Sequence, residues 1–236
     1  MNALILMTRI PIAGKTKTRL MDIMSGNDCA DLHMAFLKDL FHTFKKLENH
    51  MDIYLTYTPE NSLDIIEDII PEFIKTFPQR GEDLGRKMNN GIKDVLSLDY
   101  EKVILIGSDI PHLRYNDILD AFEVLEEKDI VLGSSYDGGY YLIGMKKPNE
   151  GIFHINKKWG GKSVLESTID MANSHGLTVG LTHKYMDIDT KEDLFKFMDK
   201  YEDHEEKIAL NTVEFIKEWR ERIAQGQIDR TNKTVY

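Results

Sequence analysis

Residues 11–20 read Pro11-Ile12-Ala13-Gly14-Lys15-Thr16-Lys17-Thr18-Arg19-Leu20. Lys15, Lys17 and Arg19 bring three positive charges within five residues, next to Gly14 and the hydroxyls of Thr16 and Thr18. These residue types suit a phosphate site. Glycine lets backbone come close to a ligand, lysine offers a point charge and arginine a two-pronged fork. Gly14-Lys15-Thr16 looks like the end of a P-loop, but that motif needs a glycine five residues earlier, where Arg9 stands. The plainer alternative is a solvated basic loop.

Carboxylates supply the opposite charge. Gly107-Ser108-Asp109-Ile110-Pro111 follows the clearest strand of the sequence. A carboxylate there, at the edge where open α/β sheets bind ligands, can hold Mg²⁺ or Mn²⁺ together with substrate phosphates. A turn or helix cap would use the same aspartate. In Asp187-Ile188-Asp189-Thr190 two carboxylates flank one apolar residue, so on an extended segment they point the same way. Helix capping explains Thr190 but not both aspartates. Asp109 with Asp189 would complete a metal site.

Two further segments are candidates. Tyr136-Asp137-Gly138-Gly139-Tyr140-Tyr141 combines a tight turn with aromatics able to stack on a sugar or base, and makes Asp137 a candidate base or acceptor contact. A simple hairpin turn reads equally well. Gln79-Arg80-Gly81-Glu82-Asp83-Leu84-Gly85-Arg86 runs into a helix and can offer backbone donors to a base or phosphate. The histidines are scattered, without paired spacing or a serine elbow, which argues against zinc chemistry and a Ser-His-Asp triad. Trp159-Gly160-Gly161 is expected to form a loop near the site.

The elements that must position these groups alternate. Strands are predicted at Asn2–Met7, Met51–Thr58, Glu72–Phe77, Lys102–Ile106, Ile130–Gly133, Tyr140–Met145 and Leu177–Leu181. Helices are predicted at Asp28–Glu48, Asn61–Ile70, Arg86–Leu98, Asn116–Glu127, Ser163–His175, Thr190–Lys200 and Glu205–Ala224, with a frayed tail from Gln225. Ser163 with Glu166 reads as a capping box. Strand–helix alternation to about residue 135 predicts crossover units and a mostly parallel central sheet with helices on both faces, an α/β protein. The rhythm breaks at Tyr140, a strand with no helix before it.

The chain has 236 residues and a formal net charge of −10, which disfavours nucleic acid and anionic membranes as partners. No apolar stretch approaches the ~18–20 residues of a membrane span. The single cysteine, Cys29, reads as a buried packing residue and fits a reducing, cytoplasmic setting.

Taken in order, Pro11-x-x-Gly14-x-x-Lys17-Thr18-Arg19-Leu20, Asp83-Leu84-Gly85-x-x-Met88, Gly107-Ser108-Asp109-x-Pro111, Asp137-Gly138-Gly139-Tyr140-Tyr141-Leu142-x-Gly144 and Asp187-x-Asp189-Thr190 resemble the DUF2064 group of GT-A-like nucleotide-diphospho-sugar transferases, over about residues 1–198. That group is related to small guanylyltransferases of cofactor biosynthesis. The resemblance implies a Rossmann-like GT-A fold, donor phosphates on Gly14, Lys17 and Arg19, and a metal on Asp109 with Asp189. It departs from the group at Ala13, at Thr16 and in having Ser108-Asp109 rather than a full Asp-x-Asp.

The sequence therefore predicts a transferase domain over 1–200 and a helical extension over 201–236 that could serve a homodimer contact. Lys17, Arg19 and Asp137 are the expected catalytic residues. Gly14, Lys15, Thr18, Asp83, Gly85, Ser108, Gly138 and Gly139 are expected to bind the nucleotide. The first reading is metal-dependent glycosyl transfer from a nucleotide-diphospho-sugar to a small-molecule acceptor. The alternatives are nucleotidyl transfer from an NTP with release of pyrophosphate, and a non-catalytic nucleotide-binding module.

Overall fold

The computed structural model describes residues 1–155, 163–203 and 207–226. Strands β1 (Asn2–Arg9), β2 (Asp52–Thr58), β3 (Ile74–Pro78), β4 (Lys102–Gly107), β5 (Ile130–Ser135), β6 (Tyr140–Met145) and β7 (Val179–Tyr185) form one seven-stranded sheet, ordered β3-β2-β1-β4-β6-β5-β7. Every neighbouring pair is parallel except those of β6, which runs antiparallel to β4 and β5. The break in rhythm at Tyr140 has this cause: the short turn after β5 cannot make a parallel crossover, so the chain must reverse.

Helices α1 (Gly26–Lys45), α2 (Leu84–Leu96), α3 (Tyr115–Glu127), α4 (Val164–Ser174), α5 (Lys191–Tyr201) and α6 (Leu210–Ala224) surround the sheet. Alternate residues of each strand feed two cores, as a strand period of two requires. Leu4, Leu6, Ile104 and Ile106 pack with Phe41 and Phe44 of α1 and Phe122 of α3. Ala3, Ile5, Val103 and Leu105 pack with Met88, Ile92 and Val95 of α2. Both faces are thus covered, as the predicted mostly parallel α/β sheet requires.

Helix α1 buries a second stripe. Cys29, Leu32 and Phe36 meet Leu20, Ile188, Leu194 and Phe197, with Val213, Ile216 and Trp219 of α6. Truncating a fully buried phenylalanine such as Phe36 costs about 3–5 kcal/mol in such a core. The predicted burial of Cys29 holds, and burial drives its thiol up to about 12.

Local chemistry sets the helix starts. Ser25 and Asp28 form a reciprocal capping box on α1, and Thr190 with Asp193 does the same on α5. Three expectations need correction. Residues 61–70 form no α-helix but two short 3₁₀ turns, Glu60–Ile65 and Glu67–Ile69. Of the apolar residues there only Ile66 is fully buried, too small an apolar face to hold a helix against the sheet. Ser163 is not a side-chain cap: its φ of 75° places it in the left-handed region, and its side chain makes no capping bond. The last helix begins at Leu210, because Asp39 of α1 receives its first backbone donors. Trp159-Gly160-Gly161 and the tail from residue 227 lie outside the described residues.

Candidate active site

Strands β1 and β4 are neighbours, with Met7 opposite Gly107. The next residues, Thr8 and Ser108, are therefore adjacent where both strands deliver their chains to the carboxyl edge, and Thr8 Oγ1 donates to Ser108 Oγ at 3.0 Å. Because β6 is antiparallel, its first residues and the turn before it reach the same edge. A cleft of about 690 Å³ opens there, lined from the residue 15–19 loop, the ends of β1 and β4, the start of α2, the β5–β6 turn and the segment after β7.

Lys17 is its electrostatic centre. The backbone is left-handed at this residue, φ 47° and ψ 38°, an uncommon state for a side-chain-bearing residue and one found at functional sites. Its side chain is 4% exposed. Lys17 Nζ meets Asp109 Oδ1 at 2.8 Å and Asp189 Oδ1 at 3.1 Å, and donates to the Ile188 carbonyl at 2.6 Å. It also lies 5.0 Å from the Phe36 ring centre, a cation–π contact. Burial works against the ammonium, but Asp109 and Asp189 outweigh it and hold its pKa above the ordinary lysine value. Arg19 Nη1 stands 3.6 Å from Asp189 Oδ2.

The aspartates are brought together by one backbone bond: Ile188 N–H donates to the Asp109 carbonyl at 3.0 Å. Ile188 is fully buried while Asp187 and Asp189 both line the cleft. The predicted alternation of this extended segment is realised, and Asp187 adds a third carboxylate. Burial first, then Asp137, Asp189 and Asp109, push the Asp187 carboxyl up to about 6. Asp109, Asp187 and Asp189 carry more negative charge than Lys17 and Arg19 neutralise. The carboxylate oxygens of Asp109 and Asp189 meet at Lys17 Nζ, and oxygen donors of this kind, with negative charge left over, suit a hard divalent cation such as Mg²⁺ or Mn²⁺.

Of the residues expected from sequence, Lys15, Lys17, Thr18, Arg19, Asp83, Ser108, Asp109, Asp137, Gly139 and Asp189 line the cleft. Gly14, Gly85 and Gly138 do not. Gly14, at φ 72°, makes the turn that carries the loop past Gly26, where an added Cβ would lie 2.8 Å from the Gly14 nitrogen. Gly85 is buried in the first turn of α2, and Gly138 accepts from the Leu165 N–H at 3.1 Å, tying the β5–β6 turn to α4. Asp83 caps α2 through the Arg86 N–H at 2.8 Å. Asp137 Oδ1 accepts from Ser135 Oγ at 2.5 Å and Gly139 N at 2.8 Å, which fixes its carboxylate at the rim. Of the aromatics around that turn, Tyr140 and Tyr141 line the cleft, whereas Tyr136 is exposed under Lys184.

The sequence reading missed His33, Thr8 and the role of Gln79. His33 is buried on α1 and hydrogen-bonds Thr16, Thr8 and Ser108. Gln79 Nε2 bridges the Thr8 and Thr56 carbonyls, pinning the ends of β1 and β2. Among the described residues, the group with three ligand atoms within 4.8 Å of one another is Asp117, Asp120 and His183, away from these carboxylates. None of them lines the cleft. Asp117 is already bonded by His183 Nδ1, 3.0 Å away, and by the Tyr185 hydroxyl.

The chain is similar to known proteins. The DUF2064 family, described as "Uncharacterized protein conserved in bacteria", matches residues 44–160, which include Asp83, Asp109 and Asp137. The DUF2064 resemblance holds. The chain is 27% identical to the 2-phospho-L-lactate guanylyltransferase of Methanocaldococcus fervens, over 78% of this chain and 81% of the relative. It is equally identical to that of Methanocaldococcus jannaschii, over 78% and 79%. Among solved structures, a "putative nucleotide-diphospho-sugar transferase" from Desulfovibrio desulfuricans G20 superposes with a TM-score of 0.85 at 26% identity, covering 97% of this chain and 99% of that one. The 4-diphosphocytidyl-2C-methyl-D-erythritol synthase of Anaerococcus prevotii shares the fold at 14% identity, with a TM-score of 0.55 over 85% and 99%. Among the described residues, no helix is long and apolar enough to cross a membrane.

Proposed function

We propose that this transferase moves a nucleotidyl group from a nucleoside triphosphate to a small anionic acceptor and releases pyrophosphate. An acceptor oxygen forms a bond to the α-phosphorus, and the bond from that phosphorus to the bridging oxygen of the β-phosphate breaks. The observation that carries this reading is Lys17, its ammonium held within 3.1 Å of both Asp109 and Asp189 at the sheet edge. The guanylyltransferase names of relatives that align over most of the chain support nucleotidyl over glycosyl transfer.

In this reading Lys15, Thr18 and Arg19 receive the β- and γ-phosphates, and with the Lys17 charge beside them they offset the charge that builds on departing pyrophosphate. Asp109 and Asp189 would hold Mg²⁺ or Mn²⁺, which supplies further charge neutralisation and aligns the phosphates. Asp137, its carboxylate fixed by Ser135 and Gly139, orients the acceptor from the β5–β6 turn. Tyr140 and Tyr141 offer flat surfaces beside it. A phosphorylated acceptor is already an anion at neutral pH, so the transfer needs no strong base.

Glycosyl transfer from a nucleotide-diphospho-sugar is the second reading, supported by the description of the Desulfovibrio structure. The two differ in what leaves. Incubating the protein with Mn²⁺, each NTP and a panel of phosphorylated 2-hydroxy acids should release pyrophosphate in equal amount to acceptor consumed. Release of a nucleoside diphosphate from a nucleotide sugar, without pyrophosphate from any triphosphate, would replace the first reading with the second.

A further inference from the structure

We infer that His33 is the positioning residue that holds the phosphate loop and the metal-bearing end of β4 at a fixed spacing, through Thr16 on one side and Ser108 on the other. The inference deepens the nucleotidyl-transfer reading and rests on it. His33 is 2% exposed and sits on α1 behind the cleft. Its Nδ1 lies 2.6 Å from Thr16 Oγ1. Its Nε2 lies 3.1 Å from Ser108 Oγ and 3.2 Å from Thr8 Oγ1. The ring therefore joins the residue before Lys17 to the residue before Asp109.

One turn along the same helix, Phe36 stands under the Lys17 ammonium and packs edge-on to His33 at 6.3 Å between ring centres. Residues three apart on a helix share a face, so a single face of α1 supports both Thr16 and Lys17. Burial first, then Lys17 and Arg9, hold the imidazole down to about 3, so the ring is neutral, with one nitrogen donating and the other accepting. If Nδ1 carries the hydrogen, it donates to Thr16, and the Thr16 hydroxyl keeps its own proton for an acceptor in the cleft. Thr8, Thr16, His33 and Ser108 all line that cleft. Catalysis by alignment is sensitive to displacements of about 1 Å, and a buried network of three hydroxyls and a ring specifies one arrangement.

The two ring nitrogens can be replaced separately. A glutamine amide reaches the place of Nε2 and an asparagine amide that of Nδ1. His33→Gln should keep Ser108 and Thr8 but release Thr16, and His33→Asn should do the reverse. Calorimetry would measure two constants in each variant: Kd for the α,β-methylene analogue of GTP with saturating Mn²⁺, and Kd for Mn²⁺ alone. His33→Gln is expected to weaken the analogue about tenfold, the loss of one buried hydrogen bond, with Mn²⁺ binding changed by less than roughly twofold. His33→Asn is expected to weaken Mn²⁺ about fivefold and the analogue less. Thr16→Val should match the analogue loss of His33→Gln, and combining them should add little, since both cut one link.

Folded variants with wild-type values for both ligands would overturn the positioning role, as would equal losses of both ligands in His33→Gln and His33→Asn. Should either His33 variant fail to fold, Thr16→Val decides: an unchanged analogue Kd refutes the role and a tenfold rise supports it. Wild-type protein that binds neither ligand would instead sink the nucleotidyl-transfer reading, and the positioning role with it.

Discussion

Asp39 and Lys17 are both buried charges that reach 172 positions along the chain, to Asn211 and Asp189 respectively. They end differently. Asp39 Oδ1 accepts from Asn211 N and Nδ2, and Oδ2 from Thr212 N and Oγ1, at 2.6 to 2.9 Å. Burial pushes its carboxyl up, and those Thr212 and Asn211 bonds pull it back down. Both oxygens are engaged, the N-terminus of α6 adds a favourable dipole, and Asp39 lies away from the cleft. Lys17 instead pairs with carboxylates whose side chains are 43% and 33% exposed, in a cluster with negative charge left over. A closed network, with both carboxylate oxygens fully hydrogen-bonded, ties two helices together. An open one, with carboxylates facing the cleft, leaves room for a ligand.

That contrast can be broken most forcefully at Lys17. Lys17→Met should lower kcat/KM for pyrophosphate release about 10²–10³-fold, the usual cost of losing one such electrostatic group, while the urea midpoint moves less than in Asp39→Ala. A large stability loss with near-normal turnover would mean that Lys17, too, is only a tether.

Asp39→Ala should do the opposite. Leaving the Asn211 and Thr212 donors without their acceptor should cost about 2–3 kcal/mol of unfolding free energy, with kcat of the folded fraction unchanged. Reduced turnover at unchanged stability would contradict the assignment.

The same contrast extends to His33 and His112, both buried. His33 serves the site, whereas His112 is enclosed by Tyr185, Phe197 and Tyr201 at 5.0 to 5.5 Å between ring centres. Burial first, then nearby cations, hold each down to about 3. The unfolded chain protonates a histidine near its ordinary value of ~6.5 while the native ring stays neutral, so the unfolded state binds more protons between those values. Stability should therefore be complete above pH ~6.5 and fall as pH drops, by about 2 kcal/mol per histidine at pH 5. Chemical denaturation of wild type and His112→Phe at pH 7 and 5 checks this: the variant should lose about half as much to these rings as the wild type. Equal losses would assign the acid sensitivity elsewhere.

Asp83 sharpens the contrast at its smallest scale, because it both caps α2 and lines the cleft. Asp83→Ala should cost about 1 kcal/mol as a lost N-cap, and Asp83→Asn almost nothing. If Asp83→Asn raises KM for the triphosphate while keeping stability, the carboxylate also serves the nucleotide; if KM stays put, Asp83 is a cap alone.

How much of this was legible in the sequence depended on distance along the chain. Strands showed as unbroken apolar runs such as Val103–Ile106, and their pairing supplied only the ends, as where Thr8 and Arg9 extend β1 opposite Tyr57 and Thr58. The loop cations and the aspartates at strand exits were readable because charge and position coincide there. His33 was not readable: one histidine on an apolar helix face looks like packing, and its partners Thr16, Thr8 and Ser108 stand 17, 25 and 75 positions away. The helix predicted over 61–70 failed for the converse reason, since of the isoleucines there only Ile66 is fully buried, too narrow an apolar face to hold an α-helix, and the segment forms two 3₁₀ turns. Ser163 carried the letters of a cap without its backbone conformation.

In the proposed reaction Asp109 and Asp189 share one cation with the polyphosphate beside Lys17. The most direct measurement is Mn²⁺ affinity, by calorimetry in the presence of the α,β-methylene analogue of GTP, for wild type, Asp109→Asn, Asp189→Asn and the double variant. Each single variant should bind Mn²⁺ at least about tenfold more weakly, and the double variant little worse than either, because residues acting on one ion do not add. Unchanged Mn²⁺ affinity in Asp109→Asn would contradict the account.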